Sequence, residues 1–210
     1  LLALIPISFI AGNMIININI LLLILSAFLV FGKSPFKVKY FVLDKIIFLF
    51  FFLILFTGAY NDIELFIKKR EYSDWRGGYE TLKKSLFFFK YLFLYVALRF
   101  LVEKNIIDLK LFFITCSLSS LFVCFDIFYQ YKFGEDLFGF KTLGSGRKLG
   151  GPFGDELIAG GFIQRFSLFS FFVLPLYYLE KSKSLSKYLI PILFIIFLTG
   201  IILSGNRMPL

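Results

Sequence analysis

The chain has 210 residues, of which 59% are apolar and 32 are Phe, and its formal net charge is +9. Soluble domains average about 45–50% apolar residues, so this composition argues against a soluble globular domain. The basic residues lie between apolar runs rather than on one polar face, which argues against a nucleic-acid-binding protein. The composition instead predicts an all-α, polytopic transmembrane helical bundle that contacts membrane lipids.

Apolar runs recur along the chain, and a hydrocarbon core of roughly 30 Å requires about 20 mostly apolar residues per helix. We predict about seven spans, the first of which is a short run at the start of the sequence. In chain order they are residues 1–11, 14–31, 41–60, 85–102, 111–131, 157–179 and 188–204. Because Leu1 already lies inside an apolar run, we expect residues 1–210 to form one partial transmembrane domain of a longer protein.

The Lys and Arg residues of the short loops predict the orientation of the chain, because cytoplasmic loops are enriched in them. The loops around Lys37, Lys104 and Lys183 are the denser in basic residues and are predicted to be cytoplasmic. The loops at residues 61–84 and 132–156 are then predicted to face the periplasm. The second is rich in Gly, which indicates either close approach of the backbone to a ligand or a flexible connector.

Ionisable side chains at membrane depth are costly, so each is a candidate functional residue. Asp126 and Gln130 lie four residues apart near the end of the fifth span and therefore share a helix face. A buried carboxylate there requires a cationic partner or water, and Arg165 in the sixth span is the candidate partner. The group is either a structural interhelical pair or part of a site. Asp44, by contrast, is interpreted as a snorkelling ion pair with Lys45.

Three arginines are expected at one end of adjacent helices: Arg147 before the sixth span, Arg165 within it and Arg207 after the seventh. Arg binds phosphate in bidentate fashion, so such a cluster would stabilise a polyprenyl pyrophosphate leaving group. Anchoring to lipid headgroups is the alternative. Asp155 and Glu156 open the sixth span, where they either complement the helix dipole or orient an acceptor as a general base.

Metal chemistry has little support in the composition. The sequence contains no His, and its two cysteines, Cys116 and Cys124, lack the spaced partners of a metal motif. They are interpreted as small core residues. We therefore predict no metal site.

Four segments together resemble a known family. FDIFYQYKFGEDLFGFK (residues 125–141) has Asp, Gln and Gly in order at a helix end. GSGRKLGGPFGDELIAGGFIQRF (144–166) has Arg, then Gly-x-Phe, then small residues where a helix starts. LTGIILSGNRMPL (198–210) ends a helix in a turn that contains Arg, and LKKSLFFFKYLFLYVALRFL (82–101) is a weaker match. In this order and spacing they resemble the O-antigen ligase / O-antigen polymerase family of bacterial envelope glycosyltransferases.

The resemblance implies a multi-pass enzyme of the bacterial inner membrane, with about the first half of the chain present. Such an enzyme transfers a glycan from undecaprenyl pyrophosphate to an acceptor glycan or lipid A core at the periplasmic face, without a metal or other cofactor. Its large periplasmic loop, often with a functional His, would lie outside these residues. Ser-Gly-Asn-Arg also replaces the commoner Ser-Arg adjacency at Arg207.

Residue roles follow from the resemblance and the spacing together. Arg147, Arg165 and Arg207 are the candidate pyrophosphate-binding residues, and Gln130 is a further candidate substrate-binding residue. The candidate catalytic carboxylates are Asp126, Asp155 and Glu156.

Two other classes of protein fit the same hydropathy. One is a multispan transporter or lipid-linked saccharide flippase, which would be favoured if a second half of the protein repeated the hydropathy of the first. The other is a membrane scaffold without catalysis. Polar residues gathered toward one face of the membrane favour an enzyme that acts at an interface.

Overall fold

The computed structural model describes residues 1–32, 34–37, 39–69, 79–142, 148–178 and 183–205. All regular structure within these residues is helical, apart from isolated β-bridge residues at Glu135, Lys141 and Lys148. The predicted all-α class is confirmed. The α-helices are α1 (Ile5–Ile10), α2 (Asn13–Phe31), α3 (Val42–Lys69), α4 (Glu80–Phe88), α5 (Lys90–Glu103), α6 (Leu109–Phe133), α7 (Ala159–Tyr178) and α8 (Lys183–Leu203). Short 3₁₀ helices form at Leu2–Leu4, Ser34–Lys37 and Gly151–Phe153.

Within the described residues, four helical stretches are long and apolar enough to cross a membrane. They are Asn13–Phe31, Val42–Glu64, Glu80–Glu103 and Leu109–Phe133, and Tyr188–Leu203 is a shorter apolar helix. Large apolar side chains on these stretches are exposed, among them Leu29 at 81% and Val42 at 73%. Contiguous apolar surface is rare on soluble proteins and is accommodated by lipid. These are features of a membrane protein, whereas the seven predicted spans are not confirmed.

Helix bounds agree with the sequence where an apolar run ends in Gly or a polar turn, as at α2 and α6. The predicted first span, expected as the tail of a truncated helix, consists of the 3₁₀ turn Leu2–Leu4 followed by the six-residue α1. The predicted loop at residues 61–84 is wrong at both ends. Helix α3 continues through Lys69 and α4 begins at Glu80, while residues 70–78 lie outside the described part.

Asp62 explains why that loop was mispredicted. Its side chain is buried in spite of its charge, and its two oxygens accept the backbone N–H groups of Thr81 and Leu82 at 3.3 and 2.8 Å. The first N–H groups of a helix have no intrahelical partner, so this carboxylate on α3 satisfies the start of α4. In the sequence, the charge of Asp62 indicates a solvated loop. In the fold, the same carboxylate makes a contact between two helices.

The chain divides into two compact units, one formed by Leu1–Asn19 with Asp108–Leu210 and the other by Ile20–Ile107. In the second unit, Asp44 at the start of α3 is buried and accepts the Tyr95 hydroxyl and the backbone N–H of Phe41. Arg99 Nε lies 3.6 Å from the same carboxylate. Asp44 therefore pairs with α5, and the predicted pairing with Lys45 is wrong.

The core of the first unit lies where α6, α7 and α8 meet. It is formed by Val123, Cys124 and Ile127 of α6, Phe162 and Ile163 of α7, and Phe197 of α8. Gly200 allows α8 to pack closely against α6 and α7, because a Cβ there would lie 2.7 Å from Cys124 Sγ and 3.3 Å from Ile163 Cδ1. Cys124 is a packing residue of this core, and Cys116 is a second buried cysteine on α6.

Gly200→Ala is expected to destabilise the protein although Ala is the better helix former by about 0.8–1 kcal/mol. Overpacking a tight core costs about 1–3 kcal/mol, and the clashing sulfur belongs to a short, fully buried side chain. In a Cys124→Ala background the same substitution should become neutral or stabilising, because the clash is gone. Thermal unfolding in lipid nanodiscs, followed by circular dichroism, measures both changes. An equal loss in both backgrounds would contradict the proposed contact.

Candidate functional site

The loop that follows α6 turns back immediately. Gly134 ends the helix in the left-handed conformation with φ 82°. Asp136 then builds a tight turn, since its Oδ1 accepts the N–H groups of Phe138 and Phe140 at 2.9 and 2.7 Å. An Asp that accepts hydrogen bonds from the backbone just ahead of it is a common way to fix a turn. This turn places Phe140 beside the end of α6.

Asp126 and Gln130, both predicted as site residues, hold this end of the fold together. Asp126 Oδ1 accepts the N–H of Leu137 at 2.8 Å. The Gln130 amide donates to the carbonyl of Phe140 at 3.2 Å and accepts the N–H of Gly151 at 3.0 Å. Both side chains are almost completely buried. They are therefore positioning residues that fasten two loops onto α6.

Gly151 fits against this face of α6 because it lacks a side chain. Its φ is +56°, and a Cβ there would lie 3.2 Å from Ile127 Cγ1 and 3.7 Å from Asp126 Oδ2. Asp126 Oδ2 is buried and has no hydrogen-bond partner among the described residues. The glycine-rich loop is thus packed against α6 at the 3₁₀ turn Gly151–Phe153.

A backbone hydrogen bond joins the glycine-rich loop to the residue that follows α8. The N–H of Leu149 donates to the carbonyl of Ser204 at 3.2 Å, and both residues are buried. The segments that lead into Arg147 and Arg207 are therefore joined at this point. Arg147 and Arg207 themselves lie outside the described residues.

Arg165 is placed by the structure in the second turn of α7, where its side chain is exposed. Asp126, its expected partner, is completely buried. No ion pair joins these two described residues. The predicted Asp126–Arg165 pairing is therefore wrong.

A cavity of about 200 Å³ lies in the first unit, beside the loop that precedes α7. Its walls are mostly apolar and include the rings of Phe9, Phe140 and Phe153. Two polar side chains also line it, Asn13 from the first turn of α2 and Glu156 from the loop. The Asn13 amide donates to Glu156 Oε1 at 3.4 Å, a long hydrogen bond that leaves both side chains able to bind a ligand.

The aromatic walls are supported from behind. The buried Phe162 packs against Phe9 and Phe153, with ring centroids 5.8 and 5.4 Å apart. Phe140 packs on Gly154, where a Cβ would lie 3.2 Å from the ring and where φ is +60°. A side chain at Gly154 would therefore displace the Phe140 ring from the wall of the cavity.

The structure separates the two acidic residues that the sequence could not distinguish. Both side chains are exposed, but Glu156 lines the cavity and Asp155 does not. Neither lies in the first turn of α7, because that helix begins at Ala159. The predicted role of complementing the dipole within the first turn is wrong for both residues.

Sequence reasoning missed three contributors to the site. Asn13 stands between two predicted apolar runs, 1–11 and 14–31, and belongs to no recognisable motif. Asp136 carries a detectable signal, since Asp136-Leu137-Phe138-Gly139 is a typical turn sequence. The Leu149–Ser204 contact is between backbone atoms, so no residue type in the sequence marks it.

Comparison of the chain with protein-family models, with curated proteins and with solved structures found no match.

Proposed function

We propose that the protein is a glycosyltransferase of the O-antigen ligase or polymerase type, which transfers a saccharide from a polyprenyl pyrophosphate to an acceptor glycan. It is a multi-pass protein of the bacterial inner membrane, and about seven spans fall within these residues. The candidate site faces the periplasm. No metal or other cofactor takes part.

The observation that carries this proposal is the convergence of chain segments at one end of α6, α7 and α8. The Leu149–Ser204 hydrogen bond joins the segments leading to Arg147 and Arg207, and Arg165 is exposed near the start of α7. Buried Asp126 and Gln130 fasten the adjoining loops. A cationic group beside lipid suits a pyrophosphate, and the neighbouring cavity supplies a carboxylate.

The proposed reaction uses these groups in defined roles. An acceptor hydroxyl oxygen bonds to the anomeric carbon of the donor saccharide, and the bond from that carbon to the pyrophosphate oxygen breaks. The electron pair leaves with the polyprenyl pyrophosphate, whose charge the three arginines stabilise. The proton of the acceptor hydroxyl passes to the carboxylate of Glu156. Asp126 and Gln130 act through the loops that they hold.

The proposal is tested with the full-length protein in liposomes that contain a fluorescent polyprenyl-pyrophosphate saccharide and a soluble acceptor oligosaccharide. Covalent transfer with release of polyprenyl pyrophosphate is expected. Movement of the donor across the bilayer without a product would instead identify a flippase. Restoration of long-chain polysaccharide in a strain lacking its ligase or polymerase provides the matching test in cells.

Alanine replacements of Arg147, Arg165 and Arg207 test the pyrophosphate site in that assay. Hydrogen bonds to charged groups contribute about 1.5–3 kcal/mol, so each replacement should lower transfer roughly ten- to a hundredfold. Lys132→Ala removes an exposed positive charge at the end of α6 and serves as the control. Unchanged transfer in all three arginine variants, with normal insertion, would remove the site assignment.

A further inference from the structure

The cavity lined by Asn13 and Glu156 has a chemistry that differs from that of a phosphate site. None of the described residues that line it is basic, and Glu156 brings a negative charge to it. Among the described residues, the cavity thus offers a pyrophosphate a carboxylate and no cation. The cavity therefore suits an uncharged part of a substrate.

The polar atoms of the cavity are those that bind hydroxyl groups. Glu156 Oε2 and Asn13 Oδ1 have no hydrogen-bond partner among the described residues, so both can accept a hydroxyl proton. The Asn13 amide can donate a second hydrogen bond besides the long one to Glu156. The rings of Phe140 and Phe153, which also line the cavity, offer flat apolar surface. A pyranose ring has an apolar face and hydroxyl groups at its edge, so it matches this lining.

The size of the cavity limits the ligand. Sites for drug-sized molecules occupy about 300–1,000 Å³. The cavity here has about 200 Å³, which corresponds to one sugar ring rather than an oligosaccharide. Two of its aromatic residues, Phe9 and Phe153, pack against the buried Phe162.

We infer that this cavity is the subsite for the terminal pyranose ring of the acceptor glycan, held by Asn13 and Glu156 between Phe140 and Phe153. The word acceptor rests on the proposed function, whereas binding of a neutral pyranose does not.

Saturation-transfer NMR on the full-length protein in nanodiscs tests the assignment, with methyl glucoside, methyl galactoside and N-acetylglucosamine as the probes. At least one should bind, and Glu156→Gln and Asn13→Ala should each weaken that binding about tenfold. Asp155→Asn removes the same charge one residue outside the cavity and should retain wild-type binding. Inorganic pyrophosphate should not compete with the sugar.

The assignment is overturned if no probe binds, if binding ignores both Glu156→Gln and Asn13→Ala, or if pyrophosphate displaces the sugar. Failure of the proposed function looks different, because transfer from the lipid donor is measured separately. If the protein binds sugar through Glu156 but has no transfer activity, the pyranose subsite is supported and the proposed glycosyltransferase function is rejected. If the protein transfers glycan but its sugar binding is unaffected by Glu156→Gln, only the subsite assignment is rejected.

Discussion

Glu156→Gln is expected to lower the rate of glycan transfer by about 10²–10⁴-fold, the usual contribution of a general base. Gln keeps the size of the side chain and its ability to contact Asn13, but it cannot take a proton from the acceptor hydroxyl. The cavity places only this one of the two adjacent carboxylates beside the inferred acceptor ring. The initial rate of transfer by the full-length protein in liposomes measures the loss.

Asp155→Asn is the matched control, since it neutralises a neighbouring exposed carboxylate that does not line the cavity. It should transfer glycan at close to the wild-type rate. The pH dependence of kcat separates catalysis from packing, because loss of a base removes the acidic limb of the profile. Equal losses in the two variants, or an unchanged acidic limb in Glu156→Gln, would exclude Glu156 as the base.

The helical class was predictable because apolar runs of about 20 residues leave few other structures in a bilayer. Helix ends were predictable only where the run itself ended, as at Phe31 and Phe133. Beyond Tyr60 the sequence becomes charged, yet α3 continues, because Asp62 is matched by the start of α4 rather than by water. Hydropathy measures preference for solvent and cannot detect such a partner.

Ion pairs show the same limit. Asp44 and Lys45 are adjacent in sequence, but adjacent residues on a helix do not face each other. The actual partners of Asp44, Tyr95 and Arg99, lie on another helix. Asp126 and Gln130 were predictable as neighbours, because residues four apart share one helix face and only their spacing is needed to see it. The choice between Asp155 and Glu156 required the turn at Gly154 and the contact with Asn13, which depend on the folded chain.

Gln130→Met is expected to have the largest effect on stability in the first unit. The side chain is 1% exposed and is bonded at both ends, to the N–H of Gly151 and the carbonyl of Phe140. Met is similar in length but leaves the buried N–H of Gly151 without a partner, which costs about 1–3 kcal/mol. Phe140 is 46% exposed, so its carbonyl can bond to water instead. We therefore expect a loss of about 2–3 kcal/mol.

The loss should be local, because the two bonds fasten loops rather than helices. Hydrogen exchange followed by mass spectrometry should show faster exchange in residues 148–158, while α6 keeps its protection. Gln164→Met makes the same chemical change at an exposed position of α7 and should alter stability by no more than about 0.5 kcal/mol. If Gln130→Met left exchange in residues 148–158 unchanged, Gln130 would not hold the loop that carries Glu156, and the link from α6 to the cavity would be lost.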